Sequence, residues 1–148
     1  MSTDPIVAGT DGSAPAELAV DKAAELAGAL GVAVHVVTSY ASTSASSWMA
    51  AAGGVAVAEM ITDEQAQARA EEVVRRTRDR LEGRGISVQT HVCSGEPAEA
   101  LMMIAEGEHA QMIVVGNRGM AGARRMLGSV PNRVSHQARC GVLIVPTR

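Results

Sequence analysis

Phenylalanine is absent from this 148-residue chain, and Trp48 and Tyr40 are its only tryptophan and tyrosine. With 47% of residues hydrophobic and 1% aromatic, the core has to be built from Val, Ile, Leu, Ala and Met. No set of rings remains on which single-stranded bases could stack. Cationic excess is missing too: 13 Lys and Arg face 16 Asp and Glu, a net charge of −3. That excludes a domain-wide basic face for nucleic acid and leaves room only for a local basic patch. Cys93 and Cys140 lie far apart and in no metal-like spacing, so they read as half-buried thiols of a reducing compartment. His35, His91, His109 and His136 are equally scattered, and their spacing suggests no metal cluster. No apolar run approaches the ~18 residues of a membrane helix, and the N-terminus has neither the basic nor the apolar region of a signal peptide. The expectation is a cytoplasmic protein with no membrane partner, folded as one domain over 1–148.

What is present is alternation. Ile6 to Thr10 reads as a short strand ended by Asp11-Gly12, and Ser13 and Pro15 open a helix that runs to about Leu30. Glu17, Asp21 and Glu25 mark its outer face; Leu18, Ala23, Leu26, Ala27 and Leu30 mark its inner one. Val32 to Thr38 is a β-branched second strand. A Ser/Ala/Gly stretch over 39–61 follows, either a lid or a slack surface loop, with Trp48 within it. Thr62 and Gln65 have capping-box spacing, and Ala66, Ala70, Val73, Thr77 and Leu81 line the next helix up to Gly83. "ISVQTHVC" is a third strand, "EPAEALMMIAEGEHA" a third helix, and "MIVV" a strand buried on both faces. Ser129 to about Ala138 is a fourth helix with Pro131 in its first turn, and Val142 to Val145 a fifth strand. Strands alternating with helices predict an α/β fold, a parallel sheet with helices on both faces.

The chemistry concentrates in "VVGNRGMAGARRMLGSVPNRVS", where a buried strand gives way to glycines at 116, 119, 122 and 128 interleaved with Arg118, Arg124 and Arg125. A helix start carries free amides and a partial positive charge, and glycines let an anion approach the backbone. Ser129 is expected to cap the fourth helix and offer its hydroxyl and amide to a phosphate, with the arginines adding charge-assisted hydrogen bonds. Read from the residues alone, the alternative is a set of turn glycines beside solvated arginines. The stretch is neither a P-loop, since the lysine is missing, nor a dinucleotide G-x-G-x-x-G.

These residues resemble the signature of the universal stress protein family, in its subgroup that binds ATP or a related adenine nucleotide. That signature is a glycine, two residues, a second glycine, nine residues, and a glycine followed by serine or threonine. Gly116, Gly119 and Gly128-Ser129 match it, but only eight residues separate Gly119 from Gly128. The shortfall implies altered contacts to the terminal phosphate with the site retained. The resemblance extends over nearly the whole chain, through "IVAGTDGSAPAELAVDKAAELA", "VHVV", "GEPAEAL" and "GSVPNRVSHQARCGVLIVP".

The resemblance implies a five-stranded Rossmann-like sheet of order 3-2-1-4-5, of the adenine nucleotide alpha hydrolase kind, with its ligand at the switch point between strands 1 and 4. It places the backbone at Val36 and the Gly9, Thr10 and Asp11 neighbourhood at the adenine, Val115 and Gly116 at the ribose, and Arg118, Gly119, Gly128, Ser129 and Val130 at the phosphates. Asp11 is then a turn carboxylate, a base contact, or a ligand to phosphate-bound Mg²⁺. A homodimer pairing Val142 to Val145 across a twofold axis would cover an apolar edge strand. His136 and Cys140 would pack near that interface, and His35 would be a packing residue. The function implied is a nucleotide-responsive binding module, with ATP or cyclic AMP as ligand and a downstream protein as reader, and not an enzyme. A slow ATPase or phosphotransferase and a ligand-free dimer are the competing readings.

Overall fold

The computed structural model describes residues 2–41, 62–117 and 128–147. In chain order these form β1 (Ile6–Gly9), α1 (Ala14–Leu30), β2 (Val34–Tyr40), α2 (Asp63–Glu82), β3 (Val88–Ser94), α3 (Pro97–Gly107), β4 (Met112–Gly116), α4 (Ser129–Gln137) and β5 (Gly141–Val145). The strands form one parallel sheet of order β3-β2-β1-β4-β5. The order inferred from the resemblance is therefore the one observed. β1 pairs with β2 on one side and β4 on the other, so chain connections leave its two neighbours in opposite directions. Among the described residues no helix is long and apolar enough to cross a membrane.

Alternating strand residues divide the core in two. Ile6, Ala8, Val34, Val36 and Val114 meet α1 and α2, while Val7, Val37, Ile113 and Val115 meet α3 and α4. The α1 stripe differs from expectation. Ala19, Val20, Ala23, Ala24 and Ala27 are buried, whereas Leu18 and Leu30 are 44% and 42% exposed. Alanines allow the helix axis to approach a sheet surface already crowded with valines, and close packing favours that over bulk. In α2 the capping box of Thr62 and Gln65 forms as expected, but Val74 takes the buried place expected for Val73. β2 begins two residues later than expected and runs on to Tyr40, because β3 lies beside it up to the Tyr40 and Ser94 pairing.

Outside the first core layer the acidic face of α1 is tied to α2. Arg80 binds Glu17 and Asp21, and Arg84 Nη1 lies 3.0 Å from Asp21 Oδ1. The caps are local: Ser13 Oγ accepts from the Ala16 amide at 3.3 Å, and Gly31 ends α1 at a φ of 69°.

Leu81 is fully buried, so Leu81→Ala is expected to cost about 2–5 kcal/mol in urea denaturation. Leu18→Ala should cost less than about 0.5 kcal/mol, as a solvent-facing change does. Equal losses from the two would contradict the alanine stripe.

Candidate functional site

The turn after β1 is built almost entirely by its own side chains. The Thr10 amide donates to the Val37 carbonyl at 3.0 Å, and the Thr38 hydroxyl donates to the Thr10 carbonyl at 2.7 Å, so β1 and β2 are still joined where the turn begins. Thr10 Oγ1 accepts from the Gly12 amide at 3.0 Å and donates to Glu17 Oε1 at 2.9 Å. Asp11 Oδ1 accepts from the Ser13 amide at 2.9 Å, an Asx turn leading straight into the α1 cap. Gly12 sits at a φ of 83°. Glu17 Oε1 also receives the buried Thr77 hydroxyl at 2.9 Å, which fastens the turn to α2.

The opposite wall comes from β4 and α4. The Asn117 amide donates to the Val145 carbonyl at 2.9 Å, and the Gly128 amide donates to the Asn117 carbonyl at 3.2 Å. Asn117 Oδ1 accepts from the amide and the hydroxyl of Thr147, each at 3.0 Å. Asn117 and Gly128, which flank the segment outside the described residues, are therefore held together at one anchored point. Gly116 has a packing reason of its own: a Cβ there would lie 3.0 Å from Thr147 Cγ2.

The start of α4 corrects one expectation. Gly128, not Ser129, is the N-cap, and no side chain among the described residues caps the helix; Ser129 is its first residue and is exposed. The other described helices are capped by side chains: Ser13 on α1, Thr62 on α2 and Glu96 on α3. Glu96 accepts from the Ala98 and Glu99 amides at 3.2 and 3.0 Å and also binds Arg133 at 2.7 Å. The positive end of α3 is thus met by a carboxylate of its own, and that of α4 is not.

Between these walls lies a crevice of about 190 Å³ at the carboxyl ends of β1 and β4. Of the expected site residues, Gly9, Thr10, Asp11, Val115, Gly116 and Val130 line it, with Gly128 and Ser129 at the adjoining helix start. Val36 does not. It is fully buried in the interior of β2, in the core facing α1 and α2, and Val37 and Ser39 line the crevice in its place. The remaining apolar wall, Pro97, Leu101 and Pro131, was not foreseen; the sign was the start of a helix at each proline. Arg118 and Gly119 lie outside the described residues, as does most of the 39–61 stretch with Trp48.

A larger open hollow, about 460 Å³, lies between Met102, Glu106, His109, Arg139 and Cys140. Its walls are the C-terminal ends of α3 and α4, where the backbone partial charge is negative, so it suits an anion poorly. Cys93 and Cys140 are half-buried, and burial raises both thiols above their usual range. His136 is exposed in the last turn of α4. The histidines bring a further correction: His35 and His91 are in contact, with Glu108 beside them, although nothing in their spacing indicates it.

The model of the universal stress protein family matches residues 2–146. The universal stress protein Rv1636 of Mycobacterium tuberculosis is 34% identical, over 96% of this chain and 95% of its own. Among solved structures, a universal stress protein in complex with cAMP aligns with a TM-score of 0.73 at 27% identity, covering 99% of this chain and 100% of that one. The universal stress protein of Archaeoglobus fulgidus in complex with dAMP gives 0.72 at 26% identity, covering 97% and 98%.

The turn at Gly12 makes a direct prediction. A Cβ there would be 3.0 Å from Val73 Cγ2 on a left-handed backbone, so Gly12→Ala should destabilise the fold by about 1–2 kcal/mol in thermal denaturation. Gly107→Ala, with open space and no positive φ, is the neutral control.

Proposed function

The chain belongs to the universal stress protein family, and on that premise we propose that its crevice binds an adenine nucleotide, ATP or cyclic AMP in the first instance. The observation that carries this reading is the start of α4: amides that no side chain among the described residues caps, at the rim of a crevice over the β1 and β4 ends. The phosphoryl group sits there, against Gly128, Ser129 and Val130. The base lies along Val37, Leu101 and Pro131, with Thr10 and Ser39 as its polar neighbours. The cAMP and dAMP complexes of the two family structures support an adenine ligand. Asp11 is exposed at the crevice and offers one carboxylate, which fits Mg²⁺ that takes its other ligands from phosphate and water.

The protein acts in this reading as a binding module and not as a catalyst. The stretch from Gly116 to Ser129 contains no Asp, Glu or His that could orient a water, and among the described residues that line the crevice Asp11 is the one carboxylate for that task. A second copy of the chain covers the outer edge of β5, where Val142, Leu143 and Ile144 are only half-buried. Nucleotide occupancy then changes a surface that a downstream protein reads.

Ser129→Glu places a negative charge at the proposed phosphoryl position while favouring α4, whose N-terminus welcomes a carboxylate. Calorimetric titration with ATP and with cyclic AMP is expected to show an affinity loss of about tenfold or more, ~1.4 kcal/mol, at an unchanged melting temperature. Equal affinity in wild type and variant removes the α4 site. Sustained phosphate release from ATP that vanishes in Asp11→Ala would establish the enzyme reading instead. Sedimentation equilibrium should give twice the chain mass; a monomer would remove the β5 pairing.

A further inference from the structure

At the other end of the sheet three side chains meet that the nucleotide reading does not use. In the β2 and β3 pairing, His35 lies opposite Gln89 and His91 opposite Val37, so the two histidines are diagonal neighbours. Val34, Val36, Val88 and Val92 turn toward α1 and α2, which turns His35 and His91 to the opposite face, toward α3. The rings stack with centroids 5.0 Å apart and planes inclined by 18°, and His35 Nδ1 lies 2.9 Å from His91 Nε2. Glu108 ends α3, held by its amide to the Ile104 carbonyl at 2.9 Å, with the chain reversing through His109 at a φ of 53°. One nitrogen from each ring and one Glu108 oxygen all lie within 4.8 Å of one another.

We propose that His35 Nδ1, His91 Nε2 and the Glu108 carboxylate bind a divalent transition metal of the zinc class. The donor set decides the class: two imidazoles and one carboxylate are ligands for zinc and its neighbours, whereas magnesium and calcium take oxygen alone. His35 is 3% exposed and Glu108 is exposed, so the three converge on a point closed by the sheet and open on the side of α3's end. That leaves a fourth position for water. Burial lowers the proton affinity of both rings and so favours the neutral form that ligates a metal. Tetrahedral zinc, with bonds of 2.0–2.1 Å to nitrogen, needs its two nitrogens about 3.3 Å apart. From their present hydrogen-bonded contact the rings must therefore separate by a few tenths of an ångström and turn so that both nitrogens face one ion, and the exposed Glu108 side chain has the freedom to close the site.

This site is independent of the proposed nucleotide. Pro97, at the start of α3, lines the crevice, and Glu108 lies at the far end of that helix, roughly 16 Å away at 1.5 Å per residue. A bound metal joins β2, β3 and α3 and so stabilises the folded chain by mass action.

The test uses the full chain, stripped with chelator and titrated with Zn²⁺ alone by calorimetry, and with Co²⁺ alone by visible spectroscopy. One Zn²⁺ per chain is expected, together with the intense bands of four-coordinate Co²⁺ and a melting temperature raised by Zn²⁺. His91→Gln should abolish saturable binding. Glu108→Gln, an exposed change that spares the fold, should weaken it about tenfold. Glu108→Gln, at the far end of α3 from the crevice, should retain the wild-type response to adenine nucleotides, so the outcome here does not depend on that reading. The proposal is overturned if the wild-type chain shows no saturable Zn²⁺ binding, if Co²⁺ gives only the pale spectrum of a six-coordinate ion, or if both variants bind as the wild type does.

Discussion

One carboxylate holds the crevice in shape. Glu17 receives the hydroxyls of Thr10 and Thr77 on the same oxygen and Arg80 on the other, so β1's turn, α1 and α2 share a single junction. The surroundings are partly buried, where charge-assisted hydrogen bonds are strong and an unpaired partner is costly. Thr10 in turn receives the Gly12 amide, and Gly12 takes the left-handed backbone that brings the chain round to Ser13 and the α1 cap. Without that junction the strand would still pair, but the loop that forms one wall of the crevice would have no fixed course.

The opposite wall is fixed by different means. Its anchor is an amide side chain, Asn117, which binds Thr147 beyond the last strand while its backbone ties β5 to the start of α4. The two walls flank the one position in the sheet where successive connections leave to opposite faces. Site and topology are therefore one fact. The strand order opens the crevice, and the two anchored turns hold glycines and helix amides at its edges.

Much of this was legible in the chain. The alternation of elements, the capping box at Thr62, the buried run at Ile113 and Val114 and the glycine-rich departure after β4 are all local patterns, and local patterns survive folding. The strand order came from resemblance, since no periodicity encodes which strands are neighbours. The differences share a cause. Val36 and Val37 are indistinguishable by composition, and which of their side chains faces the crevice is set by the alternation along β2. Leu18 has the hydrophobicity of an inner-face residue, whereas the buried stripe of α1 is made of smaller ones, Ala19, Val20, Ala23, Ala24 and Ala27. Ser129 has a capping side chain, yet the chain enters α4 one residue earlier, with Gly128 in the N-cap position. His35 and His91 are brought together only by the parallel pairing of β2 and β3, and Glu108 only by where α3 stops.

The hydrogen bond from the Gly128 amide to the Asn117 carbonyl holds the end of β4 and the start of α4 at one place in the fold. Joining two points so held costs an entropy that grows only logarithmically with the length of the connection, ~0.6 kcal/mol for each doubling, so one residue more or less is thermodynamically almost free. Evolution can therefore trim or extend this stretch to suit a different cargo while the scaffold beneath remains indifferent.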